Sequence, residues 1–125
     1  MKGLLKYSRG RFAAFGYAFR GAYDLLRNHA PSRIHLAALV AMIAIAWGLD
    51  FPLWKWVAVL ICAGMVLAAE ALNTAVEYVV DLVSPEYNIL AGKAKDVAAG
   101  AVLFTAVSSG LIALMLVYDA LWGVV

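Results

Sequence analysis

Three long apolar runs organise this chain: Ile34 to Phe51, Leu53 to Val83, and Val97 to about Leu121. A helix of about 20 residues crosses the roughly 30 Å hydrocarbon core of a bilayer, so each run predicts a membrane span. The second run is longer than a bilayer requires. At 1.5 Å per residue it reaches about 46 Å, and one of its ends should project past the hydrocarbon. The segment GLDFPLWK separates the first two runs; Pro52 cannot continue a helix, and Gly48 and Asp50 favour a turn. SPEYNILAGKAKD separates the second from the third, with Ser84 and Pro85 expected as N-cap and first residue of a short new helix that Gly92 ends. Lys93 and Lys95 are expected in this connecting loop.

Upstream of the spans the pattern changes. In FAAFGYAFRGAYDLLRN, Phe12, Phe15, Phe19, Tyr23 and Leu26 recur at helical spacing opposite basic positions, which predicts an amphipathic helix over about residues 7–29 lying on an anionic membrane surface. A signal peptide would need an apolar core in residues 5 to 20, where basic, aromatic and small residues alternate instead.

Composition agrees with a membrane protein. The 125 residues are 66% hydrophobic and 14% charged, with a mean hydropathy of +0.87, which excludes a water-soluble domain of this size. The length leaves room for one membrane-embedded domain over residues 1–125 and little else. The fold class expected is an all-α membrane protein with one surface helix and three transmembrane helices. A lone cysteine, Cys62, inside an apolar run excludes a disulfide framework and reads as a small buried hydrophobe. No nucleic-acid partner is expected.

Charge sets the orientation. Lys2, Lys6, Arg9, Arg11, Arg20, Arg27 and Arg33 precede the first span against Asp24 alone, whereas the first hairpin carries Asp50 and Lys55. Basic residues stay on the cytoplasmic side, so the N-terminus is expected there, the loop holding Lys93 and Lys95 returns there, and the tail with Asp119 faces out. Trp47, Trp54, Trp56, Tyr118 and Trp122 then cluster at the outer boundary as an aromatic belt. Ala63, Gly64, Ala68, Ala71 and Ala75 on the second run, and Ala94, Ala98, Ala101 and Thr105 on the third, have the small-residue spacing that lets helices approach closely in lipid.

The chemistry concentrates on one stripe. Glu70, Asn73, Glu77 and Asp81 stand at roughly 0°, −60°, −20° and +20° around the second helix. A carboxylate within the hydrocarbon costs on the order of 2 to 3 kcal/mol even on the mildest scale, so a row of them on one face indicates a functional site. Two glutamates with an asparagine between them can hold a hard divalent cation and accept a proton at neighbouring points, because Mg²⁺ prefers oxygen ligands and shares its shell with substrate phosphates. Lys93 and Lys95 are placed to meet phosphate oxygens, and Asp96 to accept from a hydroxyl or amine. At this level a second reading stays open: Glu70 or Glu77 could pair with an arginine of the N-terminal helix for assembly alone.

The segment EALNTAVEYVVDLVSPEYNILAGKAKDVAAGAVL resembles the signature region of the prokaryotic diacylglycerol kinase and undecaprenol kinase family, and the likeness continues more loosely back through RIHLAAL to FGYAFRG. The pattern E-x-x-N-x-x-x-E followed by AKD is dense; no P-loop or protein-kinase motif is present. The resemblance implies a small kinase of the bacterial cytoplasmic membrane that phosphorylates a lipid alcohol with ATP and Mg²⁺, assembled as a homotrimer with active sites between subunits. It implies that Glu70 is the catalytic base and Asn73 an adjoining active-site residue, and that Glu77 binds the metal of Mg-ATP. Lys95, Asp96, Asp81, Lys93 and Arg11 fall on the nucleotide side. The RIH stretch and the SPEY…LAGKAKD wording resemble the undecaprenol branch more than the diacylglycerol branch.

One position departs from the pattern. Where the family usually carries a second metal-binding glutamate, this chain has His29, and no acidic residue lies between Asp24 and Asp50. Asp24 is five residues earlier, about 140° around a helix, and a poor substitute. Imidazole suits Zn²⁺ or Mn²⁺ better than Mg²⁺, so an altered metal preference is expected, with a catalytically impaired relative as the alternative. His35 completes the RIH stretch and needs no special role in this reading.

Overall fold

The computed structural model describes the backbone of residues 2–123 and the side chains of residues 13–123. Among the described residues four helices follow one another: α1 (Lys2–Asn28), α2 (Ala30–Gly48), α3 (Leu53–Val83) and α4 (Ile89–Trp122). α2, α3 and α4 are each long and apolar enough to cross a membrane. α3 packs along α4 over the most extensive contact, with α2 against α3 and the end of α1 against α2 and α3.

Each boundary has a local cause. α1 and α2 are separated by His29 alone, which is extended (φ −112°, ψ 112°), because Pro31 has no N–H to donate and its ring would clash with the preceding turn. The first span therefore begins at Ala30, four residues before the apolar run. Gly48 ends α2, Asp50 takes the left-handed conformation at φ 48°, which aspartate tolerates better than most residues, and Pro52 opens α3. α3 itself covers the same residues as the second apolar run.

The loop from 84 to 88 corrects the sequence reading. Ser84 is the C-cap of α3, with its N–H bonded to Val80 O at 2.8 Å, rather than an N-cap. A residue before proline is pushed out of the helical region, and Ser84 sits at φ −140°. Asn88 supplies the N-cap instead, its Oδ1 accepting from Leu90 N at 2.8 Å and Ala91 N at 3.3 Å. No short helix ends at Gly92; α4 runs through it, and Lys93, Lys95 and Asp96 are helical rather than in a loop. At 34 residues, α4 spans about 50 Å and, like α3, exceeds the bilayer core. Gly123 closes it in the left-handed conformation at φ 61°, as a C-terminal glycine can without strain.

Burial is inverted relative to a water-soluble protein. Ala46, Phe51, Val59 and Leu116 form a small buried cluster where the C-termini of α2 and α4 meet the start of α3, while Ser32, Lys55, Glu70 and Thr74 are buried polar residues. Large side chains such as Trp47, Leu60, Leu82, Phe104 and Met115 point outward. In lipid an outward apolar surface carries no penalty, and the polar groups are the ones that must be enclosed. Phe15, Phe19 and Tyr23 on α1 are likewise exposed; Phe12 lies outside the described side chains.

At the cluster end, Lys55 and Asp119 are not surface residues of a hairpin and a tail. Lys55 Nζ is 2.6 Å from Asp119 Oδ2, with side-chain exposures of 4% and 13%, and it also donates to Leu116 O at 3.2 Å. The ammonium faces the rings of Phe51 and Trp54 at 5.0 and 5.5 Å. Antiparallel packing brings the first turn of α3 beside the last turn of α4, and a desolvated ammonium there requires a carboxylate.

Candidate active site

Glu70 lies in the middle of α3 and is 3% exposed. Two residues one turn apart on α2 meet its carboxylate. Ser32 Oγ, on a fully buried residue, donates to Oε2 at 3.3 Å, and His35 Nε2 stands 3.2 Å from Oε1. That second approach is within ion-pair reach but outside hydrogen-bond geometry, so Oε1 is buried with no donor aimed at it. No arginine reaches Glu70 among the described residues; its partners come from α2. A buried carboxylate oxygen left without a donor is costly in a bilayer protein, and it is the kind of group that accepts a proton from a substrate.

One turn further, Asn73 Nδ2 donates to Glu77 Oε1 at 3.0 Å, leaving Asn73 Oδ1 buried and without a partner. Beyond them, Lys95 Nζ from α4 pairs with Asp81 Oδ1 on α3 at 2.5 Å. This pair is largely exposed, so it fixes little by itself and either charge can be redirected to an incoming ligand. Lys93 is exposed and lines the apolar groove between α3 and α4 together with Asn73 and the small residues Ala68, Ala94, Ala98, Ala101 and Thr105. Asp96 is exposed on α4. The side chain of Arg11 lies outside the described residues.

His29 belongs to a different set of contacts. Its Nε2 is 2.9 Å from the Tyr78 hydroxyl, which donates to Asp24 Oδ2 at 2.8 Å, and Asn28 Nδ2 donates to the other oxygen at 2.6 Å. The Tyr78 hydroxyl and then the Asn28 amide hold the Asp24 carboxyl below the ordinary carboxylate range. Among the described residues no three His, Cys, Asp or Glu side chains come together as a metal centre. Glu77 and the unpartnered Asn73 oxygen are hard donors that fit a Mg²⁺ carrying most of its shell on phosphates and water. The imidazole of His29 has its Nε2 turned to the Tyr78 hydroxyl.

A family profile described as prokaryotic diacylglycerol kinase matches residues 16–117. The chain belongs to the prokaryotic diacylglycerol kinase family. It is similar to the undecaprenol kinase of Bacillus subtilis (strain 168), 34% identical over 105 residues that cover 84% of this chain and 85% of that protein. It is also similar to a diacylglycerol kinase of Sinorhizobium sp, 39% identical over 106 residues covering 84% and 76%. The diacylglycerol kinase of Escherichia coli (strain K12) is 36% identical over 90 residues, covering 72% and 74%. As a member of this family the chain is a lipid kinase.

Two residues at the candidate site carry little signal in the sequence. Ser32 belongs to no motif, and His35 reads as part of RIH. Their only signal is spacing: residues 32 and 35 share a helix face, and the polar groups of a span face the protein interior. Tyr78 too carries little signal; it is the neighbour of Glu77 in sequence but turns toward α1.

Proposed function

We propose that this lipid kinase transfers the γ-phosphate of ATP to the hydroxyl of a membrane lipid alcohol, with undecaprenol favoured over diacylglycerol. The observation that carries the reading is the Glu70 carboxylate, enclosed within a span and holding one oxygen with no donor. Glu70 takes the hydroxyl proton as the lipid oxygen attacks the γ-phosphorus, and ADP leaves. Mg²⁺, when bound with ATP, neutralises charge on the phosphates; Glu77, oriented by Asn73, would hold it. Lys95, released from Asp81, meets phosphate oxygens, with Asp96, Lys93 and Arg11 on the nucleotide side. Phosphoryl transfer depends mostly on positioning and charge neutralisation, which such a constellation provides.

The setting follows from the same reading. Residues 1–125 form one membrane-embedded kinase domain in the bacterial cytoplasmic membrane, N-terminus inside and C-terminus outside. The exposed aromatic residues of α1 lie on the inner leaflet, and three copies assemble with the sites between them. Projection of both α3 and α4 past the hydrocarbon lets ATP arrive from the cytosol while the lipid enters sideways. Support for undecaprenol comes from the similarity to the Bacillus subtilis enzyme, which extends over most of both chains.

The decisive experiment is phosphorylation of a panel of lipid alcohols by purified protein, with ATP and Mg²⁺, Mn²⁺ or Zn²⁺, beside Glu70→Gln. Wild-type turnover and a Glu70→Gln variant that stays folded but inactive is the expected result; normal phosphorylation by Glu70→Gln overturns the mechanism. His29, standing where the resemblance calls for a metal-binding glutamate and bonded to Tyr78, favours a second reading, a catalytically impaired relative. Wild-type protein that turns over no lipid with any of the three metals would establish it.

A further inference from the structure

We infer that His35 and Ser32 are positioning residues for Glu70, holding its carboxylate from both sides so that Oε1 presents a lone pair to the lipid hydroxyl. The inference rests on the reading of Glu70 as general base and goes beyond it, because it assigns what sets the base's direction. Ser32 is fully buried, and its hydroxyl bonds Glu70 Oε2 at 3.3 Å. His35 comes from the next turn of α2 and reaches Oε1 at 3.2 Å. The two contacts hold a side chain that bonds no group of its own helix among the described residues. A carboxylate held in this way keeps its direction and cannot rotate toward lipid.

The other charged groups nearby are engaged elsewhere. Arg33 of α2 donates to the Arg27 carbonyl, and Asp24 of α1 is bonded to Tyr78. Lys95 of α4 is paired with Asp81, roughly 16 Å along α3 from Glu70. Glu70 therefore faces His35 as its nearest titratable partner among the described residues. His35 also lines a cavity of about 180 Å³ between α2, α3 and α4, bordered by Leu39, Met42, Val66 and Ser109. That space lets replacements at His35 fit without clash.

The test compares His35→Leu, His35→Gln, Ser32→Ala and Glu70→Gln with wild type in detergent micelles, using Mg-ATP and whichever of undecaprenol or diacylglycerol the wild type turns over. Readouts are kcat, KM for ATP and the thermal unfolding midpoint. A misplacement of about 1 Å at a reacting group costs on the order of 100-fold, so His35→Leu should lower kcat by about 10- to 100-fold while KM for ATP stays within about twofold. His35→Gln, which keeps a polar group beside Oε1, should recover most of the rate, and Ser32→Ala should lower kcat in the same way. Unchanged kcat in His35→Leu would overturn the inference, as would parallel losses of rate and unfolding midpoint with no advantage for glutamine. Full activity in Glu70→Gln would instead overturn the underlying reading.

Discussion

The ion pair between Lys55 and Asp119 yields an asymmetric stability prediction. Lys55 is the more deeply enclosed partner, at 4% against 13% side-chain exposure. Replacing Asp119 by Asn leaves the ammonium buried with the Leu116 carbonyl and the rings of Phe51 and Trp54. Removing one partner of a buried pair costs about 3 to 5 kcal/mol, and two cation–π contacts at about 0.5 to 1 kcal/mol each offset part of what remains. Asp119→Asn should therefore destabilise by about 2 to 3 kcal/mol. Lys55→Met costs less, about 1 to 2 kcal/mol, because the remaining carboxylate is nearer water and the methionine fills the lysine's apolar track. The double variant should lie close to wild type, since a buried pair replaced as a unit loses its desolvation cost along with its attraction, so the cycle reports a coupling of about 3 to 5 kcal/mol. Equilibrium unfolding of the four proteins in mixed micelles, followed by the fluorescence of the adjacent Trp54 and Trp56, measures it. Additive losses, or an Asp119→Asn variant as stable as wild type, would refute the reasoning and place the pair in water.

Two further outcomes follow from the contacts at the opposite end. Asn88→Ala removes the side-chain oxygen that accepts from Leu90 N and Ala91 N and should cost about 1 kcal/mol in unfolding free energy, with Asn88→Asp close to wild type. The Asp24 carboxyl is held below its ordinary value by Tyr78 and Asn28, so its tether of α1 to α3 is fully present above about pH 3.9 and is lost as pH falls through the lowered folded value. Spin labels on α1 and α3 should separate in that acid range in wild type and show no such transition in Asp24→Asn.

Much of this protein was legible before any packing was known. Apolar run length determined the three spans, because hydrocarbon admits only backbone that satisfies its own hydrogen bonds. The helical period alone put Glu70, Asn73, Glu77 and Asp81 on one stripe, and their spacing together with AKD pointed to the family. What the chain pattern left undetermined is what lies across from each stripe, since contacts between helices depend on rotation and depth that apolar spacing barely constrains. Only the tertiary structure brought Ser32 and His35 of α2 to the two oxygens of Glu70, turned His29 toward Tyr78 and Asp24, and drew Lys55 and Asp119, far apart in the sequence, into one buried pair. The helix start at Asn88 escaped for a more local reason: Ser84 before Pro85 looks like a cap in sequence, and which of two capping residues bonds the free N–H groups was decided by where α3 ended.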